Sequence, residues 1–559
     1  MYEKKPWLKF YDKHVPEYID YPRTTMYNAV LKTSEKYPES IAYDFMGYES
    51  TYKQLIEQID QCAKALFNLG LRKGDRMTIA MPTTPQGIIC FYAINKIGAI
   101  ASMIHPLSPP KQIEFFLNLS NSTFALTIDK IYPNFEKIFD KTPLKALILT
   151  QLSQDKVEIP ENPQITWWKY IMAKEYGDIP KIQVNPDEMA AILYSGGTTG
   201  VPKGIMLSNY NFIAEGTQTA TWMNLSDRDS ALAILPIFHG FGLGICVNAV
   251  FMGGGKSILV PSFTPDQVAD LIKTKKPNLI FGVPTLYEAL NRNPNFQNTD
   301  LSFLKAAFCG ADTLPRTTKE KFEEICRNNS SNVQLREGYG LTEAVTGICA
   351  MPLGEYREGS IGIPFPDMIM KIVNIDTSEE APIGQEGELC INGPAVMLGY
   401  LNKPEETAET LKKHNDGKIW LHTGDIATMD KDGFFYFKIR LKRMIKSSGF
   451  NVYPVQVENI LYKHPDVLEA CVIGVPDEKQ VQIVKAFVVL KDPKNESKEL
   501  EKVLIEYCTE NLIKWSCPRE IEFTNQLPKT LVGKIDFKQL EEQEIAKLKA
   551  KGKYIGEKD

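Results

Sequence analysis

The stretch "MAAILYSGGTTGVPKG", Met189–Gly204, decides how the chain is read. Its apolar start, Met189–Ser195, predicts a buried strand. Glycines, hydroxyl residues and one lysine follow. Lacking a Cβ, glycine lets backbone N–H groups approach an anion closely. The hydroxyls of Ser195, Thr198 and Thr199 can donate to phosphate oxygens, and Lys203 supplies a point charge. Open α/β sheets hold ligands at the carboxyl ends of strands. The stretch therefore predicts a phosphate-binding loop in an α/β fold. It is not a Walker A loop, because Pro202 precedes Lys203 and Gly204 follows it. Nor does it pair with a GxGxxG, since "GFGLGI" ends in Ile245 and "GYGLTE" in Glu343.

Working outward, "MTIAMP", "FALTID", "ALILT" and "NLIFGVP" also read as buried strands. Between strands lie helical patterns such as "TYKQLIEQIDQCAKALFNLG", with Leu55, Ile59, Ala63 and Leu66 at helical spacing and Gly70 as a stop. Strand–helix alternation implies right-handed crossovers and parallel sheets covered on both faces. It runs to about residue 360. From "MIMKIVN" through "GELCINGP" to "GFFYFKIR" the strands shorten and glycine turns intervene, which predicts a β-rich subdomain at about 365–441. After Lys442 the segments "VENILYKHPDVLEACVIGVP", "VKAFVVL" and "KELEKVLIEYCTENL" predict a small α+β domain. The expected division is 1–441 and 442–559.

With 559 residues the chain is too long for one core, since domains run to roughly 100–200 residues. A net charge of −5 without an arginine-rich tail argues against nucleic-acid binding. The ten cysteines are scattered without a CxxC pair and histidines number six, so spacing predicts neither a zinc site nor a disulfide framework. Reduced thiols in a cytoplasmic protein fit better. The first residues lack the apolar core of a secretory signal. Between Asp229 and Lys256 no formal charge occurs, but glycines, Pro236, His239 and Asn248 interrupt the run. A membrane helix needs about 20 apolar residues. The segment predicts a buried core helix lining a pocket, convincingly apolar only over Ile245–Met252.

The phosphate loop resembles that of the adenylate-forming superfamily, which includes acyl-CoA synthetases, luciferases and the adenylation domains of peptide synthetases. Further blocks follow in the superfamily's order: "LPIFHGFG", "CGADTLP", "GYGLTE", "GELCINGPAVMLGY", "LHTGDIA", "FKIRLKRMIKSSGFNVYP" and "LPKTLVGK". They span roughly residues 20–540. The resemblance implies a large N-terminal lobe of two doubly wound α/β subdomains plus the β-rich one, and a small mobile C-terminal domain. It also implies a reaction in two halves. A carboxylate attacks the α-phosphate of ATP with Mg²⁺, giving acyl-AMP and pyrophosphate, and a thiol, usually CoA, then displaces AMP. At about 4 Å two unit charges repel by roughly 4 kcal/mol at an effective dielectric of about 20, so the first half requires a cation and a metal.

Residue by residue, the resemblance makes Lys534 the catalytic lysine bridging carboxylate and α-phosphate, with Glu343 and Thr198 toward the magnesium ion. Thr342 would bond the α-phosphate, Tyr339 would pack on adenine, and Gly310 and Ala311 would line the other side of that slot. Asp425 would accept both ribose hydroxyls, and Arg440 would reach the ribose. Lys442 falls at the hinge, and the face carrying Lys446 and Gly449 would turn toward the CoA tunnel. Ile439 and Arg443 depart from the usual pattern beside the hinge, "REGYG" replaces a common glutamine, and Val532 stands near the catalytic lysine for a common Ser or Thr.

His239 stands where amino-acid-activating relatives carry an aspartate, which argues against an α-amino acid. Gly340 stands where acetate-specific relatives place a tryptophan, which implies an open pocket. Apolar lining favours a medium- or long-chain fatty acid, at about 0.8 kcal/mol per buried CH₂. "VPEYIDYP" and "TYKQL" resemble long-chain fatty acyl-CoA synthetases. Aryl-acid CoA ligases and acyl-AMP ligases that load a carrier protein share the same blocks and stay open. So do peripheral membrane association and the choice between monomer and homodimer.

Overall fold

The computed structural model describes residues 4–152, 159, 161–195, 202–375, 377–447, 450–477, 481–529 and 535–550, with backbone alone at 442, 446, 450, 451 and 481. Two large sheets dominate the N-terminal part. In the first, Arg76–Ala80, Ile100–Met103, Phe124–Ile128, Ala146–Thr150, Ile165–Trp167 and Met189–Ser195 run parallel. In the second, the parallel strands are Ile41–Phe45, Ser230–Ala233, Lys256–Leu259, Leu279–Gly282, Ala306–Cys309 and Leu335–Gly340. Helices alternate with these strands along the chain, so the α/β class read from the periodicity holds.

Local chemistry accounts for the helix starts. Helix Tyr52–Asn68 opens on Thr51, whose side chain accepts the Gln54 N–H while the Gln54 side chain accepts the Thr51 N–H. Its Leu55, Ile59, Ala63 and Leu66 are fully buried, as their spacing predicts. Helix Asn209–Trp222 opens on the same reciprocal pair, Ser208 with Asn211.

The first sheet departs from the parallel expectation at one edge. Strand Met189–Ser195 is followed by antiparallel Lys203–Ser208, which pairs in turn with antiparallel Gly399–Tyr400. The described strands on either side of the glycine-rich stretch thus pair antiparallel, and Lys203 lies directly across from Ser195. The charge-free segment also differs in winding. Phe241–Ala249 is a π-helix, and α-helix Val250–Gly253 continues it. Every residue of the π-helix is buried. Among the described residues no helix is long and apolar enough to cross a membrane.

Antiparallel strands Ile369–Val373, Gly387–Asn392, Leu411–Lys413, Ile419–Met429 and Phe435–Arg440 form a further sheet. After it come strands Ile445–Ser447, Phe450–Val452, Val467–Asp477, Val481–Leu490 and Glu520–Phe523, which form the last one. Helices Pro454–Tyr462, Lys498–Asn511 and Phe537–Ala550 lie between and beyond them. This unit has its own apolar core, built on Val457, Leu461, Val472, Val484, Val488 and Leu504.

Candidate active site

Strand Leu335–Gly340 ends in a tight hairpin that returns as Gly347–Ala350. Thr342–Ala344 forms a 3₁₀ turn at its tip. Val345 follows with φ 63° and ψ −65°, and the Thr346 N–H donates to the Ala344 carbonyl at 2.7 Å. That is the rare left-handed form of the γ-turn, strained for a β-branched residue. Two glycines let the hairpin pack. A Cβ on Gly240 would lie 1.8 Å from the Val345 carbonyl oxygen, and one on Gly340 would lie 1.7 Å from that of Thr346. Gly340 is therefore demanded by backbone packing, whatever it also does for a pocket.

Two polar groups stand beside this hairpin. In the first, the Tyr339 hydroxyl donates to Asp425 Oδ2 at 2.5 Å, and Arg440 Nε lies 3.1 Å from Asp425 Oδ1. Asp425 and Arg440 are register partners on neighbouring strands. The Asp425 carboxylate raises the pKa of the Arg440 guanidinium, while burial and then Asp425 push the Tyr339 phenol well up. Tyr339 also stacks on Phe437, with ring centroids 6.4 Å apart. In the second group the Tyr400 hydroxyl donates to Glu343 Oε1 at 2.9 Å. Lys203 Nζ lies 4.5 Å above the Tyr400 ring and 2.5 Å from Glu406 Oε2. Its hydrogen bond holds the Glu406 carboxyl below its usual range. The Met397 N–H donates to the Glu343 carbonyl, tying the two strands' ends together.

Of the residues anticipated from sequence, Tyr339 joins Asp425 and Arg440, and Lys203 joins Glu343 through Tyr400. Thr342 is buried in the 3₁₀ turn. Ser195 closes its strand. Gly310 donates its N–H to the Gly282 carbonyl at 3.1 Å, and Ala311 beside it has φ 70°. His239 Nδ1 accepts the Phe241 N–H at 3.1 Å at the entry to the π-helix. Lys442 belongs to the 3₁₀ turn Leu441–Arg443, and Lys446 pairs with Asn451 across a hairpin. Thr198, Thr199, Gly449, Val532 and Lys534 lie outside the described residues.

Tyr400, Glu406 and Phe437 were not anticipated. Tyr400 ends the block "GELCINGPAVMLGY", and its phenol could have been read as a partner for a neighbouring acid. The two departures beside Lys442 have structural accounts. Ile439 is buried opposite Ile426. Arg443 donates to Glu458, whose Oε1 also accepts the Val472 N–H at 2.8 Å. The guanidinium is thus anchored inside the C-terminal unit.

Solved structures share this architecture. An anthranilate CoA ligase in complex with anthranoyl-AMP superposes with a TM-score of 0.83 at 26% identity, covering 93% of this chain and 97% of that one. The fold is that of the adenylate-forming enzymes. The family model for AMP-binding enzymes matches residues 30–401, and that for the AMP-binding enzyme C-terminal domain matches 456–534. A long-chain-fatty-acid–CoA ligase of Bacillus subtilis is 35% identical over 97% of this chain and 99% of its own length. A feruloyl-CoA synthase of an Amycolatopsis species is 31% identical over 89% of this chain and 94% of its own. The chain belongs to the AMP-binding enzyme family, and by that membership it is an AMP-forming acid–thiol ligase.

Proposed function

We propose that the chain activates a medium- or long-chain fatty acid with ATP and transfers it to CoA. The observation that carries the reading is the paired grouping at the hairpin: Asp425 with Tyr339 and Arg440 on one side, Glu343 with Tyr400 and Lys203 on the other. The first suits a ribose, because an ionised carboxylate can accept from two hydroxyls. The second suits a polyphosphate. Similarity to the Bacillus ligase supports the fatty-acid substrate.

Glu343 fits a magnesium site. It is a partly exposed carboxylate oriented by one phenol, and Mg²⁺ takes one or two protein carboxylates with phosphate oxygens filling its remaining positions. Thr198 is the second candidate near that ion. When bound, the ion would neutralise phosphate charge. The chain's own groups do the rest. Lys203 would exchange Glu406 for a phosphate oxygen. Tyr339 and Gly310–Ala311 would hold adenine, and Thr342 would bond the α-phosphate. Lys534 would draw the carboxylate toward the α-phosphate as pyrophosphate leaves. We place the boundary between the two units at 441/442. Rotation of the smaller one about Lys442 would withdraw Lys534 and bring the face of Lys446 and Gly449 to the thiol. The sulfur would then attack the acyl carbon and AMP would leave. Free, buried cysteines suit a cytoplasmic setting.

An aryl acid is the second reading, and the similarity to a feruloyl-CoA synthase favours it. Turnover of acetate, octanoate, palmitate, benzoate and coumarate with ATP, Mg²⁺ and CoA tests both. Octanoate or palmitate should lead. Coumarate in the lead would replace the fatty-acid reading. Acid-dependent ATP–pyrophosphate exchange without CoA-dependent AMP release would point to a carrier protein as acceptor.

A further inference from the structure

The β-rich sheet holds a group of side chains that the proposed reaction does not use. Cys390 lies on Gly387–Asn392, His422 on Ile419–Met429, and His414 in the turn that joins Leu411–Lys413 to Ile419. Cys390 and His422 are register partners on adjacent strands, so their side chains share one face. One ligand atom from each of Cys390, His414 and His422 lies within 4.8 Å of the others. His414 Nε2 and His422 Nε2 are 2.9 Å apart. All three residues are buried.

We propose that Cys390, His414 and His422 form a three-ligand site for a zinc-like divalent ion, with a fourth position left to water. Thiolate plus imidazole selects zinc over magnesium, which prefers oxygen ligands. The outer contacts match such a site. His422 Nδ1 faces Glu388 Oε2 at 2.8 Å. An ionised carboxylate only accepts, so Nδ1 of His422 carries the proton in that contact, and its Nε2 faces His414 Nε2. Carboxylates orient metal-binding histidines in this way. A ring-to-ring hydrogen bond uses both Nε2 atoms and leaves the Cys390 thiol to packing, whereas a shared ion would engage all three residues.

Charge also balances. Lys371 is the register partner of Cys390 on the next strand, and its Nζ lies 3.7 Å from Asp416 Oδ2 and 3.9 Å from the centre of the Trp420 ring. The Trp420 ring stacks on His414. Lysine and a divalent ion together offset Glu388, Asp416 and a Cys390 thiolate, while Lys412 is exposed to solvent. Glu388 links the site to the nucleotide side, because its Oε1 accepts the Gly424 N–H at 3.0 Å, one residue before Asp425. An occupied site would hold that turn still.

The test uses the full-length protein grown with zinc and desalted. Elemental analysis should find zinc equimolar with protein. Cobalt added to the metal-stripped protein should give the intense thiolate-to-cobalt absorption of a sulfur ligand. His414→Gln should lose most of the bound metal while keeping the His422–Glu388–Gly424 contacts, and Cys390→Ser should lose the absorption. Wild-type protein without zinc and without that band overturns the proposal, and no variant needs to fold for that result to count. A band that survives in Cys390→Ser overturns it equally.

Discussion

The two walls of the proposed site are built on opposite plans. On the nucleotide side, polar groups converge across strand ends and hold one another, as Asp425 does with Tyr339 and Arg440. On the other side, the π-helix Phe241–Ala249 packs its backbone against the hairpin, and closeness is bought by glycines. A carboxyl there, Glu215, is fully buried, and burial pushes its pKa up to about 8 against the opposing hydrogen bonds of Thr219 and Gly347. The polar wall is set for charge to arrive. The apolar wall is set by shape, and its burial of Glu215 favours the neutral carboxyl.

Substitutions can break this contrast. The largest effect should come from Lys534→Ala. Loss of the cation proposed to act at the reacting phosphate should cost about 4 kcal/mol, or roughly 10³-fold in acid-dependent ATP–pyrophosphate exchange. Thioester formation from added acyl-AMP should persist. Loss of both would defeat the two-position account.

Next comes a pH effect on the apolar wall. In the folded chain Glu215 keeps its proton up to about pH 8, whereas an ordinary glutamate releases it near 4.5. The folded state therefore binds more protons in that window, and stability falls as pH rises through it. The loss should reach about 3 kcal/mol by pH 8, from the energy per pKa unit reduced for local relaxation. Urea unfolding at several pH values should show this slope in the wild type and not in Glu215→Gln.

Gly340→Ala should destabilise the fold by about 2 kcal/mol, because its Cβ would meet the Thr346 carbonyl at 1.7 Å. A tryptophan there would report this clash before it reported pocket depth. Denaturation midpoints check it, and an unchanged midpoint would show that the hairpin yields.

Asp425→Asn should raise the KM for ATP by roughly 30-fold, about 2 kcal/mol for hydrogen bonds made to a charged acceptor. The smallest effect is expected of Tyr400→Phe, about 1 kcal/mol, seen as a several-fold rise in the magnesium needed for half-maximal rate.

Much of this was legible. The apolar run before the glycines predicted strand Met189–Ser195, and the helical spacing of Leu55 and Ile59 predicted their burial. The motif blocks named Tyr339, Asp425 and Glu343, which come together beside one hairpin. What escaped is what depends on pairing across the chain. No local pattern announced that Lys203 returns antiparallel, or that Tyr400 would stand between it and Glu343. Spacing argued against any zinc site, because spacing sees ligands on one segment. Cys390 and His422 meet through strand register, and the turn after Leu411–Lys413 brings His414 to them. Gly340 was read as opening a pocket, whereas Gly240 and Gly340 stand where two backbones touch.

The left-handed bend at Val345 has a consequence for how acids are told apart. One end of the tip carries the Glu343 carboxylate, and the other abuts the wall against which an alkyl tail would lie. With glycine contacts on both flanks leaving no slack, a badly seated tail would tilt that acid group instead of merely slipping. Poor substrates should therefore enter readily and react slowly, so that discrimination is felt in kcat more than in KM.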